Sequence, residues 1–527
     1  MKRIYLFAAT VMTAVCVQAQ HIAATGDAYM AGKLSVEDLN GTARYVGMGG
    51  ALDALGADIS TIGSNPAGIG LFRKSSVSGT FGVVSQSDGK TFADGSQTNA
   101  SIDQFGFVFS TRSGEKGFLN FAFNYHKSRN FDYVLSAANA LTNGSSQNNQ
   151  TVLKDVNGRL AEGLPESQLD ILYQDNLTVE TETDPATGEK YEVAVDYPFD
   201  NYEFDRAHTG YIGEYDFNLS GNINNRVYLG VTVGFNSVHY EGYSEYFESL
   251  SPGSIYWANR DPNKRSVLIS DNQKISGYGI NVKAGIIFRP IEESPLRIGA
   301  SVSSPTFYRL TMDNYTTIGT NVDAISASED FRFNTPWKFA LSAGYTVGSQ
   351  LALGASYEYT DYSTCDMRMI DGHHYNYEWA TEYDKSSSDH VMKYQIGKTL
   401  KGSSTFKVGA ELKPSKNVAL RVGYNYVTAV YRKDAVRDQT ILSPGVYYAS
   451  TTDYTNWGDT HRLTAGAGFT FDKLRLNLAY QYQTRKGDFY PFMKYYTAPE
   501  YNLTNECSAV QVKDDRHHFM ATLTYTF

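Results

Sequence analysis

The sequence predicts an all-β fold: a transmembrane antiparallel β-barrel of about 14 strands. Three observations lead there. Apolar and polar residues alternate in many runs of about ten, the length a tilted strand needs to cross a bilayer. Very short turns alternate along the chain with long polar connections, the pattern of a barrel with turns on one side of a membrane and loops on the other. Beyond residue 19 no apolar run of about 18 residues occurs, which excludes ordinary membrane-spanning helices and leaves strands as the means of crossing. A mean hydropathy of -0.37 is compatible with this, because a barrel averages lipid-facing apolar residues with polar residues facing the lumen. With 40 Tyr and 28 Phe the chain also has the rings that half-bury at a membrane interface.

The first element is a leader. Lys2 and Arg3 precede an apolar run over 4–17, and Val17-Gln18-Ala19 supplies the small residues a signal peptidase reads, so residues 1–19 are expected to be a signal peptide cleaved before Gln20. The flank Thr13-Ala14-Val15 is a weak lipoprotein context for Cys16. The mature chain is therefore expected to be exported.

Residues 20–74 form the next unit. Gly47, Gly49, Gly50, Gly56, Gly63, Gly68 and Gly70 permit close backbone approach, and Ser64-Asn65-Pro66 reads as the start of a turn. The side chain of Asn65 can bond the backbone two residues on, while Pro66 fixes its own φ. "GMGG" lacks the spacing of a dinucleotide fingerprint and the Gly-Lys-Ser/Thr of a phosphate loop. A plain surface loop is the bland alternative.

The order of residues here is a glycine-rich run, then Asp58 to Ser64, then Asn65-Pro66-Ala67, then Leu71-Phe72 leading into the first strand. It resembles the amino-terminal hatch of the FadL/TodX family of outer-membrane transporters. The resemblance implies a hatch at 20–74, gated through Gly47, Gly49, Gly50, Asn65, Pro66 and Ala67, plugging a barrel at 75–527. It also implies passive uptake of small hydrophobic compounds, either long-chain fatty acids or aromatic and other apolar molecules, across the cell outer membrane of a Gram-negative bacterium. The partners it implies are outer-membrane lipid, a hydrophobic small-molecule ligand and the barrel-assembly machinery, with the chain a monomer. Some relatives in bacteria with type IX secretion serve instead as secretion or surface-attachment scaffolds, and that is the alternative function.

The strands follow. In "FLNFAFNYHK" Leu119, Phe121, Phe123 and Tyr125 alternate with Asn120, Ala122, Asn124 and His126, and 227–236 and 418–426 repeat the pattern. Turns are expected at 113–117, 222–225, 290–295, 348–349, 414–417 and near Asp472. Long loops are expected at 86–101, 130–208, 241–274, 313–330, 364–401, 431–458 and 487–514, the longest carrying short amphipathic helices around 131–141 and through Val152, Val156 and Leu160. By parity the lumen receives Glu214, Asp216, Lys283, Arg297, Lys338, Glu358, Lys407, Glu411, Arg421, Arg462 and Arg475. Such charges suit a wet lumen or the packing of a plug. The last strand places Phe519, Ala521, Leu523, Tyr525 and the terminal Phe527 on one face. A terminal aromatic of this kind resembles an assembly signal, carried by Phe519, Leu523, Tyr525 and Phe527.

Enzymatic motifs are missing. There is no G-x-S-x-G, no H-E-x-x-H and no cysteine pair with zinc spacing, and His373-His374 and His517-His518 are adjacent pairs whose side chains diverge. No enzyme activity, metal or cofactor is therefore expected. The net charge of -10 argues against a nucleic-acid partner. Cys365 and Cys507 both fall in expected outer loops, where a disulfide between them would tie two loops at the mouth.

Overall fold

The computed structural model describes residues 26–527 apart from 88, 142–143, 145–178, 184–187, 189, 195–198, 253–264, 319–324, 377–380, 438–452, 494, 497–503 and 506. The leader and the helical spacing of Val152, Val156 and Leu160 lie outside the described residues.

The chain closes into a 14-strand antiparallel barrel. Strand Ser76–Gln86 pairs on one side with Thr98–Arg112 and on the other with the last strand, Val510–Thr526, with Ser76 opposite Thr526 and Gln86 opposite Arg516. That seam removes the unpaired edge an open sheet would show to lipid. Tight turns join successive strands at one end. Between Ile223 and Val227, for example, Asn224 and Asn225 take the left-handed backbone that short polar side chains tolerate. The outward faces are apolar: Leu229, Val231 and Phe235 are exposed, whereas Tyr228, Thr232 and Asn236 between them are buried. A surface of this kind is stable against lipid rather than water.

The wall is taller than the alternation of short runs suggests. Strands Asn201–Ile223, Val227–Ser249 and Ser266–Phe288 have 23 residues each. At ~3.3 Å per residue such a strand is roughly 75 Å long, more than twice the hydrocarbon thickness of about 30 Å. Much of what reads as loop at 130–208 and 241–274 is therefore continued ladder. Residues 133–140, expected to be helical, form strand Tyr133–Ala140, paired with the segment from Asn201 to His208. A ready partner strand overrides a weak helical pattern there.

Elsewhere the wall is interrupted. Pro305 and Pro336 supply no N–H to a ladder, and at each the chain breaks into two strands, Arg297–Ser303 with Phe307–Ile318 and Ile325–Asn334 with Lys338–Val347. Farther on, helix His390–Thr399 follows strand Thr381–Ser388; Asp389 caps it by accepting from Met392 N at 2.9 Å. Met392 and Ile396 turn inward to a cluster with Ile275, Leu310, Phe331 and Met367, while Val391 and Tyr394 stay exposed.

Residues 26–74 pack inside this wall. Asp27 caps helix Ala28–Ser35 by accepting from Met30 N at 2.7 Å, and Thr42 caps helix Ala43–Gly47 by accepting from Tyr45 N at 3.1 Å. Helix Ala28–Ser35 joins the Met392 and Ile396 cluster through Ala28, Met30, Ala31 and Leu34. Val46, Met48 and Leu52 are buried with Ala479 and Met520 of the wall.

Candidate functional site

The inner segment meets the wall backbone to backbone. Gly49, at φ +63°, lies where a Cβ would stand 2.8 Å from Tyr424 N. From the other side, a Cβ on Gly409 would meet Met48 O at 2.2 Å and one on Gly423 would meet Gly49 N at 2.2 Å. Gly47 faces Gly466 and Arg421, and Gly50, at φ +79°, packs on Leu39. Asn65 bonds as its spacing suggests: its Oδ1 accepts from Ala67 N at 3.2 Å. Around it the wall is again bare, with Gly285 and Gly299 against Asn65 and Gly230 against Pro66, whose carbonyl accepts from Ser220 Oγ at 2.9 Å. Ala67 is buried with Tyr228 and Ile287.

Charge pairing explains the ionic lumen wall. Arg44 of the inner segment donates to Glu411 at 3.0 Å, and Arg421 donates to the same carboxylate at 2.7 Å. Glu37 pairs with Lys338, Asp53 with Lys407 at 3.8 Å, and Asp38 with Arg129 at 2.9 Å. Burial lowers the pKa of Arg44, and Glu411 and Asp58 more than restore it, so that it stands above its ordinary value. Buried charge is tolerable only when paired in this manner. Of the wall positions read by parity, Glu214, Asp216, Lys283, Lys407, Glu411, Arg421 and Arg462 are buried. Lys338 and Glu358 join the same ion-pair network, and Arg297 donates to Leu55 O at 2.8 Å. Arg475 is exposed.

Among the described residues one side-chain group has metal-ligating chemistry. Ligand atoms of His126, Glu214 and Asp216 lie within 4.8 Å of one another. The ammonium of Lys283 already sits on both carboxylates, at 2.6 Å from Glu214 and 3.3 Å from Asp216, so the cation place is taken.

Above these contacts a cavity of about 210 Å³ opens between the inner segment and the outer half of the wall. Val36, Leu39, Phe131, Leu135, Val427 and Val430 supply apolar surface, and Arg129, Arg206, Arg462, Arg485 and Arg516 line it as well. Parity finds only Arg462 among these five. The others lie in or beside stretches that read as loops, and their ladder partners come from distant parts of the chain.

The remaining expectations divide. Phe519, Leu523, Tyr525 and Phe527 are exposed on the outer face of the closing strand or at its end, with Tyr525 and Phe527 edge to face at 5.2 Å. The disulfide is not formed. Cys365 is buried in the cluster around helix Ala28–Ser35, 3.2 Å from Ser35 Oγ, whereas Cys507 packs against a different cluster, and both thiols are free. The pair His517-His518 diverges across the wall: His517 meets Tyr480 outside and His518 meets Asp103 inside.

No protein-family model matches the sequence, and no curated protein matches it either. Solved structures do match in fold. A Pseudomonas aeruginosa FadL homologue superposes with a TM-score of 0.52 at 12% identity, over 94% of this chain and 100% of that one. The Ralstonia pickettii toluene transporter TbuX gives 0.46 at 12% identity, over 93% and 99%. The CymD monoaromatic hydrocarbon channel gives 0.47 at 9% identity, over 94% and 98%. The chain thus has the fold of a FadL homologue, at an identity that speaks for architecture alone.

Proposed function

We propose that this chain is an outer-membrane channel of a Gram-negative bacterium for passive uptake of small hydrophobic compounds, with residues 20–74 as its hatch. The observation that carries the reading is the inner segment, seated on wall glycines and ion-paired across the lumen, in a barrel with the fold of a FadL homologue. A lumen so filled does not serve as an open pore. The cavity has the size for small cargo: it measures about 210 Å³, more than the roughly 150 Å³ that holds a benzene ring. Asn65, Pro66 and Ala67, with Gly47, Gly49 and Gly50, would then hold the closed geometry, and a ligand would open the path by binding the open state better.

The test is uptake per folded barrel in proteoliposomes, using a small apolar fluorophore. Uptake above barrel-free liposomes is expected, and Asn65→Ala combined with Pro66→Gly should change it while leaving assembly intact. Uptake no greater than in barrel-free liposomes would end the channel reading. A variant indistinguishable from the parent across several probes would end the gating role of that turn.

A further inference from the structure

The cavity wall carries more positive charge than its acids offset. Arg129 and Arg462 share Asp38, at 2.9 and 3.8 Å, and Arg485 and Arg516 share Asp514, at 2.8 and 2.6 Å. Four guanidiniums therefore face two carboxylates. Around the quartet Arg206 is matched by Asp453, and Lys338 and Lys407 stand against Glu37, Glu358 and Asp53. Lys33 adds another cation and donates to the Tyr240 hydroxyl at 2.8 Å. The two halves of the quartet act on one another: burial raises the pKa of Asp38, but Arg129, Arg462 and Arg516 together hold it below its ordinary value.

The quartet is also built as a site. Arg485 lies over the Trp457 ring at 4.2 Å and Arg516 over Tyr133 at 5.5 Å, and those two rings meet edge to face at 5.8 Å. Such stacking fixes the guanidiniums without using their N–H groups. Arg462 is held from its other edge by Gln483 at 2.7 Å and Asn425 at 3.0 Å. Arg129, nine-tenths buried, keeps its Nε without any hydrogen-bond partner among the described residues. Uncompensated buried charge and an unpaired buried donor are both costly, and an oxyanion relieves both.

We propose that this cavity binds a small organic dianion, a doubly charged oxyanion head on a body about the size of one ring, with the head among Arg129, Arg462, Arg485 and Arg516 and the body toward Leu135, Val427 and Val430. Within the quartet two carboxylates face four guanidiniums, and that local deficit sets the charge of the head. The cavity volume of about 210 Å³ sets the size of the body. A phosphate monoester and a dicarboxylate share this chemistry. The inference goes beyond the channel reading, because it gives the cavity a charged ligand that uptake of hydrophobic compounds does not require, and its binding is measurable on the isolated barrel.

The experiment titrates the purified full-length barrel in detergent with four probes sharing one ring: phenyl phosphate, phthalate, benzoate and benzyl alcohol. Calorimetry at pH 8 reads the affinities. One or both dianions should bind about tenfold more tightly than benzoate, with benzyl alcohol weakest and the dianion affinity falling as salt rises. Phenyl phosphate alone would assign a phosphate ester, and phthalate alone a dicarboxylate. Arg462→Gln should weaken the preferred dianion by about tenfold and leave benzyl alcohol unchanged. If that variant fails to fold, the charge series and salt dependence of the parent decide the matter alone. Equal affinity for benzyl alcohol and the dianions, or no binding of either dianion, would overturn the proposal, even if apolar probes are taken up. Arginine-dependent dianion binding in a barrel that transports nothing would sustain the site and remove the channel.

Discussion

At the scale of residues, Glu411 shows how the lumen is held. It accepts from Arg44 of the inner segment and Arg421 of the wall, all of them largely buried. Replacing Glu411 by Gln keeps the shape, leaves Arg421 without its acid and leaves Arg44 with Asp58 alone. Removing one partner of a buried ion pair costs about 3 to 5 kcal/mol, which would favour undocking of the segment by roughly a hundredfold to a few thousandfold. Limited proteolysis of the folded barrel would read this as faster cleavage within residues 26–74, and protection equal to the parent would show that the pair contributes little. Parity in the sequence suffices to place Glu411 and Arg421 inside. The identity of their partner is not legible, because Arg44 lies 367 positions from Glu411 and no local pattern couples them. The same distance hides the arginine quartet, whose acids come from Asp38 and Asp514 at opposite ends of the chain.

Among the elements, the glycine contacts divide wall from segment most sharply. Gly423 sits in strand Val418–Val427, where alanine suits the ladder well enough, yet its Cβ would lie 2.2 Å from Gly49 N and 2.4 Å from the Met48 carbonyl carbon. Neither is a flexible side-chain end, so the segment must shift. Gly423→Ala is therefore expected to leave barrel formation intact while raising passage of small polar solutes in a liposome-swelling assay; no change in permeability would mean that the 47–50 stretch does not seal the lumen. Its glycines are conspicuous in the sequence because their number exceeds what turns need, although their partners on the wall are not. The alternation of Val227 to Asn236 was equally readable, since side-chain period and burial coincide there. Strand length was not: charged and polar residues in an outer collar alternate against water and loops instead of lipid, so the 23-residue ladders read as shorter strands with long connections. Helix His390–Thr399 falls within one such connection, and its burial of Met392 and Ile396 depends on a cluster assembled from several distant strands.

For the whole molecule, closure depends on the final strand finding the first. Val510–Thr526 pairs over its length with Leu474–Tyr490 and, from Arg516 to Thr526, with Ser76–Gln86. Until that second ladder forms, both Ser76–Gln86 and Val510–Thr526 present open edges, which a membrane cannot solvate. Phe519, Leu523, Tyr525 and Phe527 all face outward, so they add little to packing within the lumen and are free to meet lipid or the assembly machinery during insertion. Replacing Tyr525 and Phe527 by Asp puts two charges on the lipid-facing side of the closing seam, near the turn end of the barrel. Charges on a lipid face cost from near zero at the interface to a few kcal/mol at mid-bilayer, so a loss driven by stability alone would be small at this position. A large fall in folded barrel would therefore point to a failure of insertion. The expected outcome is that the fraction migrating as compact barrel in unboiled gels drops several-fold in cells, whereas protein refolded from denaturant into detergent micelles recovers nearly the parental fraction. Equal losses in cells and in micelles would assign these aromatics to barrel stability, and no loss in either would remove their role in closing the barrel.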